Sequence, residues 1–377
     1  MDSAYKIVTE YAAPNVHWSG AGLNHLYSEN NGIFRLVISD SEKINFKRDF
    51  FVFNAATDEV FKSEKYINRS GPDQISALVV DDVKFFDQSI MIWKGEIFSP
   101  IPEIAGYMPS IIKGRLSAQG RAEALARRSS KVYDFGIVLS HPHSNMYGHF
   151  LTEAVPKLAT IKFLYDAGGR FPIFIGRDEG SFVREFIELV IPGADIVSTI
   201  GGEVLHIKKC IIPSRHSNYL YHSAILNLFD DLSDRCAQKF QGITFPEKLL
   251  LSRAYIGPTF RLLENRDEVY AAAIECGCQP VRCETMSIAE QIAMFRSAKL
   301  IFGEYGSAMH NALFSRRGTH VVSMNWINTV QQSISASRGH DITFIMPEGG
   351  VPVLAGDGAA SSYKISPHLV RLALTIL

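Results

Sequence analysis

The sequence predicts an α/β protein of at least two domains, and three observations predict it. From Val132 onward, short apolar runs alternate with stretches of helical periodicity, a pattern that implies parallel sheets covered on both faces. Within that region residues 297–314, SAKLIFGEYGSAMHNALF, read as a strand that stops in glycine and restarts as a helix. The 377 residues also exceed what one hydrophobic core usually fills. With 46% apolar and 20% charged residues the balance is that of a folded globular protein, and a net charge of −1 gives no global attraction to nucleic acid or an anionic membrane.

Residues 1–130 form a β-rich N-terminal region, expected to be part of the first domain. Phe50–Asn54, residues 77–80 and 83–86, and Ile90–Trp93 are β-prone runs between turn residues. Residues 113–131 carry Arg115, Arg121, Arg127 and Arg128; they read as a solvated helix or linker, with contact to an anionic polymer or lipid surface as the other reading. Residues 131–245 then form a Rossmann-like domain. Strands are expected at 133–139, 172–176, 195–197, 204–207 and 210–213. Helices are expected at 147–164, where Pro156 should kink or divide the helix, at Ser181–Val190 and at Ser223–Lys239. Residues 241–247, QGITFPE, read as a hinge.

A second Rossmann-like domain is expected over 246–360, followed by a C-terminal helix within 361–377. Its first strand is 249–252, and Asn265 should cap a helix whose first turn carries Asp267 and Glu268. Ser287 and Glu290 make a capping box for Ile288–Ser297. Strand 299–302, the glycines Gly303 and Gly306, a helix over 308–314 capped by Ser307, and strand His320–Met324 complete the pattern. Ser366-Pro367 starts the last helix.

Five cysteines without a regular framework suggest a reducing compartment, and Cys276, Cys278 and Cys283 lack the C-x-x-C spacing and nearby histidine of a metal site. The first residues carry no leader pattern and no run reaches the ~20 apolar residues of a membrane span, so a cytoplasmic protein is expected.

Chemistry is expected in two places. The turn at Gly303–Ser307 would aim backbone N–H groups and a helix start at one spot, suited to an anion such as phosphate, at the carboxyl end of a strand where ligands of such sheets sit. Arg253 directly follows a strand, and Arg261 and Arg266 come soon after; guanidinium groups converging on a diphosphate would stabilise a leaving nucleotide. In the first half His141 and His143 follow a strand, and His149 with Glu153 lie four apart on one helix face. That pair suits removal of a proton from a sugar hydroxyl, or is a structural pair. A metal site from His141, His143, His149 and Glu153 matches no established ligand spacing. No D-x-D triplet occurs, so charge neutralisation would fall to arginines and a helix start, and metal-independent chemistry is implied.

Three segments together resemble family 61 glycosyltransferases of the capsular-polysaccharide type. NMYGHFLTEAVPKL resembles the family's G-H-F-L-x-E element, and LLSRAYIGPTFRLLENRDE its S-R-x(n)-R-x-x-x-N-x-x-E segment. Residues 286–314 resemble the stretch where a helix containing E-Q precedes a strand and a G-x-H-G-A-x-L-x-N turn. The resemblance covers roughly residues 130–325. It implies a GT-B-like fold, two doubly wound Rossmann-type domains facing across a cleft, and an inverting, metal-independent transfer. Donor binding would fall to Arg253, Arg261, Glu290, Gln291, Tyr305, Gly306, Ser307, His310 and Asn311. Glu153 and His149 would be catalytic, one of them as general base, with His141, His143 and Asn145 on the acceptor side. Where the family has a histidine this chain has Tyr305, preceded by Glu304, and Ser307 replaces an alanine.

The resulting expectation is a glycosyltransferase that moves a sugar from a nucleotide-diphosphate sugar, with UDP the expected nucleotide, to a hydroxyl of a glycan in surface or capsular polysaccharide synthesis. No cofactor, no metal and no nucleic acid partner are expected; peripheral contact with the inner face of a membrane is left open. A pyruvyl or phosphoryl transferase acting on polysaccharide, and a non-catalytic nucleotide- or glycan-binding protein, are the alternatives.

Overall fold

A computed structural model describes residues 7–8, 15–17, 33–42, 50–54, 59–63, 73–86, 90–98, 131–139, 143–176, 179–199, 203–216, 220–254, 262–325, 327–348 and 362–375. The basic segment 113–130, His141 and Arg261 lie outside the described residues. The chain divides into two compact units, residues 1–42 with 72–217, and residues 43–71 with 218–377.

The first unit is built on a ten-stranded mixed sheet. Its parallel part is Val204–Pro213, Lys131–Val138, Ile173–Ile175 and Ile196–Ser198, side by side in that order. Ile75–Phe86 runs antiparallel to Val204–Pro213 and leads into the N-terminal strands. Two pairs of expected strands merge here. Residues 77–80 and 83–86 are one strand, and so are 204–207 and 210–213. Each is interrupted in sequence by a charged pair, Asp81-Asp82 and Lys208-Lys209. The two interruptions fall opposite one another, with Lys209 paired to Asp81 in the ladder and Asp82 at φ 56°, so the charges compensate across the strands and pairing continues. Apolar side chains such as Phe85, Met91, Phe98, Phe174 and Leu205 form this unit's core.

The second unit carries a seven-stranded sheet in the order Gln279–Val281, Lys248–Leu251, Leu300–Glu304, His320–Met324, Asp341–Met346, Phe50–Asn54 and Glu59–Ser63. All neighbours are parallel except the last pair. Phe50–Asn54 therefore extends the second unit's sheet although it precedes most of the first unit in sequence. The chain starts this sheet at Lys248–Leu251, steps to one side for Gln279–Val281, then returns to the other side for Leu300–Glu304 and continues outward. Strand order thus reverses between Lys248–Leu251 and Leu300–Glu304, the place where open α/β sheets bind ligands at the strands' carboxyl ends. Gly303 permits the close approach of these two strands: a Cβ there would stand 2.8 Å from both the Leu251 Cβ and the Leu251 carbonyl oxygen.

Helical details refine the sequence reading in three places. Residues 147–164 divide at Pro156 as expected, but the part before the break is a turn of α-helix at Tyr147–His149 followed by a π-helical segment Phe150–Ala154, and the part after it is an α-helix Lys157–Asp166. Pro156 has no N–H to continue the ladder, and Val155 N–H reaches back to Phe150 O at 2.9 Å. The segment Ser307–Phe314 is a 3₁₀-helix whose N-cap is Gly306, so Ser307 opens the helix rather than capping it. Asn265 does occupy an N-cap, but its amide reaches residue 365 instead, donating to Ile365 O at 2.8 Å and accepting from Ile365 N at 3.1 Å. The Ser287–Glu290 capping box is present.

Candidate functional site

Among the described residues each unit contains one buried glutamate beside an arginine. In the second unit this is Glu304, the last residue of the strand Leu300–Glu304, with a side chain 1% exposed. Arg266 grips it with two nitrogens, Nε to Oε1 at 3.0 Å and Nη2 to Oε2 at 3.3 Å. Tyr270 donates its hydroxyl to Oε1 at 2.8 Å, and Tyr363 donates to Oε2 at 3.5 Å. Burial, reinforced by the Glu304 charge, pushes the Tyr270 phenol up to about 12 and raises that of Tyr363 as well. Burial opposes the Arg266 charge, but its hydrogen bond and charge pairing with Glu304 outweigh this and hold its pKa above the ordinary value. An acid beside an anion site would repel the anion; here the acid is neutralised by its own cation and capped by phenols.

Tyr270 also links this network to Arg253, whose backbone N–H donates to the Tyr270 hydroxyl at 3.1 Å. The Arg253 guanidinium donates from Nη1 to Tyr305 O at 3.2 Å. It lies so close to Gly306 that a Cβ there would come within 2.6 Å of Nη1. Gly306 is extended, at φ −178°, so space and not backbone conformation requires glycine. Arg253, Glu304, Gly306, Ser307 and Ala308 line a cavity of about 350 Å³ together with Leu251, Val281, Cys283 and Glu284. The first intrahelical bond of the 3₁₀ segment is Met309 N to Gly306 O, at 3.0 Å. The N–H groups of Ser307 and Ala308 therefore have no partner within the helix, and both residues line the cavity. Arg253 makes no ion pair among the described residues.

The expected donor residues divide into those at the cavity and those behind it. Arg253, Gly306 and Ser307 line it. Glu290 is spent on its capping box, accepting from the Ser287 N–H at 2.8 Å and the Ser287 hydroxyl at 2.6 Å. Gln291 is a brace: its amide donates to Cys283 O at 2.9 Å and Met286 O at 3.2 Å, and accepts from the buried Asn311 at 3.1 Å. It thereby ties the loop carrying Cys283 to the 3₁₀ segment. The Tyr305 hydroxyl and His310 Nε2 are 3.4 Å apart. All five cysteines are free thiols, and burial pushes Cys283 up to about 12.

In the first unit Glu153 sits in the π-helical segment with a side chain 1% exposed, and its Oε1 is 2.8 Å from His149 Nδ1. Its Oε2 is 3.6 Å from Nη1 of Arg215, a residue that follows the strand Val204–Pro213 and whose side chain is 14% exposed. The His149 side chain, in contrast, is 40% exposed. The His143 ring lies 5.0 Å from that of His149. Asn145 is exposed on the same turn. Single-turn π segments are frequent at functional sites.

Sequence reasoning missed Arg215, Tyr270 and Tyr363. Arg215 shares with Arg253 the one available signal, a position just past a strand's carboxyl end. Among the described residues no group of three or more His, Cys, Asp or Glu side chains is arranged to hold a metal, and no helix is long and apolar enough to cross a membrane.

The two constellations, an arginine-bearing cavity at a parallel sheet's switch point and a half-exposed histidine on a buried carboxylate, sit in an α/β protein. Residues 147–322, which take in both constellations apart from His143, Asn145 and Tyr363, match the family model Glycosyltransferase 61. The match supports a family 61 glycosyltransferase, an enzyme whose reaction takes a sugar donor and a glycan acceptor. No curated protein matches it.

Proposed function

We propose that the protein is an inverting glycosyltransferase of GT-B type that takes its sugar from a nucleotide diphosphate and transfers it to a glycan hydroxyl during surface polysaccharide synthesis. The observation that carries this reading is the Arg253 guanidinium, held at the Gly306 turn beside the open start of the 3₁₀ segment in the switch-point cavity. A guanidinium and the start of a helix at one point form a site suited to a diphosphate. The second unit binds the donor and the first unit supplies the base.

The reaction is a single displacement. The acceptor oxygen bonds to the anomeric carbon as the bond from that carbon to the diphosphate oxygen breaks, and the electron pair leaves with the nucleotide. Arg253 and the Ser307–Ala308 N–H groups stabilise that developing charge. The acceptor proton passes to the His149–Glu153 pair. With no D-x-D triplet in the chain, Arg253 takes the role a metal plays elsewhere, and the transfer is metal-independent.

Titration of UDP, GDP and CMP, with and without EDTA, against wild type and Arg253→Ala tests the donor site, and product mass after incubation with the matching sugar nucleotides and a glycan panel tests the transfer. Tight binding of one nucleotide that survives EDTA and is lost in Arg253→Ala is the expected result. Equal affinity in both proteins overturns the donor-site assignment; binding without turnover across the panel makes the protein a binder rather than an enzyme.

A further inference from the structure

We infer that His149 is the general base of the first unit, and that Glu153 and Arg215 are positioning residues which fix its ring. The assignment rests on the transferase reading above and decides which member of the pair meets the acceptor. Glu153 is shut off from solvent, with 1% of its side chain exposed, so no acceptor hydroxyl reaches either of its oxygens. Both oxygens are also engaged, Oε1 by His149 Nδ1 at 2.8 Å and Oε2 by Arg215 Nη1 at 3.6 Å. His149 is the exposed member, at 40%. A carboxylate at Nδ1 places the ring proton on that nitrogen and makes Nε2 the basic one. The imidazolium formed when Nε2 takes the acceptor proton is then stabilised by the Glu153 charge.

Arg215 anchors the carboxylate from a different element. Glu153 lies on the π segment Phe150–Ala154, whose widened turn leaves it without ordinary helical register, and Arg215 follows the neighbouring strand Val204–Pro213. The arginine's Nε is buried with no hydrogen-bond partner, and its Nη1 makes an ion-pair contact with Glu153 Oε2 at 3.6 Å. Arg215 thereby sets a cation beside Glu153 on the side away from His149's contact with Oε1.

The test combines chemical rescue with a split of kinetic constants. His149→Ala should lower kcat by about 100- to 10,000-fold with the donor KM unchanged, and added imidazole should restore at least part of the activity. Glu153→Gln should lose less, respond to no imidazole, and bind nucleotide as wild type does. Arg215→Met should resemble Glu153→Gln, with recovery in Arg215→Lys, which keeps the charge. A thermal melt of each variant separates misfolding from loss of the base; Arg215→Lys carries the comparison if Arg215→Met does not fold. Full activity in His149→Ala, or a loss in that variant that imidazole does not relieve, overturns the assignment, as does equal activity in Arg215→Met and wild type. A wild-type protein that transfers no sugar from any donor sinks the transferase reading instead, whereas failure of rescue in an active enzyme sinks this inference alone.

Discussion

Glu153 and Glu304 are alike in burial and in having an arginine partner, yet they face opposite ways chemically. Glu153 spends one oxygen on an imidazole that is 40% exposed, so its charge acts on a group that solvent reaches. Glu304 spends both oxygens on a bidentate arginine and two phenols, so its charge is consumed inside the network. The difference lies in the partners and not in the carboxylates. A buried acid becomes reactive equipment when its neighbour can change protonation at the surface, and structural when its neighbours hold theirs. The pKa of Tyr270, pushed up to about 12, and that of Arg266, held above its ordinary value, belong to the second case.

The sharpest way to break this comparison is to neutralise each acid in turn. Glu304→Gln leaves the Arg266 charge, only 21% exposed, without its counterion. Removal of one partner from such a buried pair costs about 3 kcal/mol or more, which for a unit of this size lowers the melting temperature by roughly 10 °C. Glu153→Gln also leaves an arginine, Arg215, only 14% exposed and short of its counterion across a longer 3.6 Å contact, so it should lower melting less than Glu304→Gln while acting on kcat. If both substitutions destabilise equally and neither changes turnover selectively, the two glutamates do the same structural job and the contrast fails. A smaller effect is expected from Arg253→Ala, which should weaken nucleotide binding by roughly 10- to 100-fold, the loss of one or two charge-assisted hydrogen bonds. Isothermal titration at two salt concentrations reads it directly. Gly306→Ala should give a fraction of that loss, since the new methyl displaces the flexible end of Arg253 rather than removing it.

Much of the second unit was legible because its signals are local. The Ser287–Glu290 capping box, the glycine turn after Leu300–Glu304 and the arginine after Lys248–Leu251 all mark strand and helix ends. The helix Thr329–Arg338 and the strand Asp341–Met346 were not foreseen, although Asn328 caps the helix and Gly339 closes it at φ 67°. Its sequence, TVQQSISASR, lacks an apolar stripe because polar side chains such as Gln331 and Gln332 are buried there, and periodicity reading depends on that stripe. Cross-strand compensation was illegible for another reason. Asp81-Asp82 and Lys208-Lys209 look like breaks until the ladder sets them opposite one another. The same holds at the sites: Arg253 was legible from its strand, but the partners that decide what Glu304 and Glu153 do come from residues 270, 363 and 215, far away in sequence.

The least costly change probes the link between the sealed network and the cavity. Tyr270→Phe removes the hydroxyl that donates to Glu304 at 2.8 Å and accepts from the Arg253 N–H at 3.1 Å. At neutral pH the loss should be about 1 kcal/mol, because Arg266 still satisfies the carboxylate. The alkaline behaviour is more telling. The folded phenol holds its proton up to about 12, above the ordinary value of 10.0, because burial and the Glu304 charge disfavour tyrosinate. A raised folded pKa contributes stability that is fully present below the unfolded value and is lost as pH rises through the folded one. Wild-type melting should therefore fall as pH climbs from about 10 toward about 12, and Tyr270→Phe should show a shallower fall, not a flat line, since Tyr363 and Tyr165 are raised by burial as well. Because the Glu153 constellation contains no phenol, substitution of Glu153 or His149 should leave the alkaline slope as it is in wild type. An unchanged slope in Tyr270→Phe would mean that the phenol ionises freely, and that Glu304 is less sealed than its two tyrosines and one arginine make it.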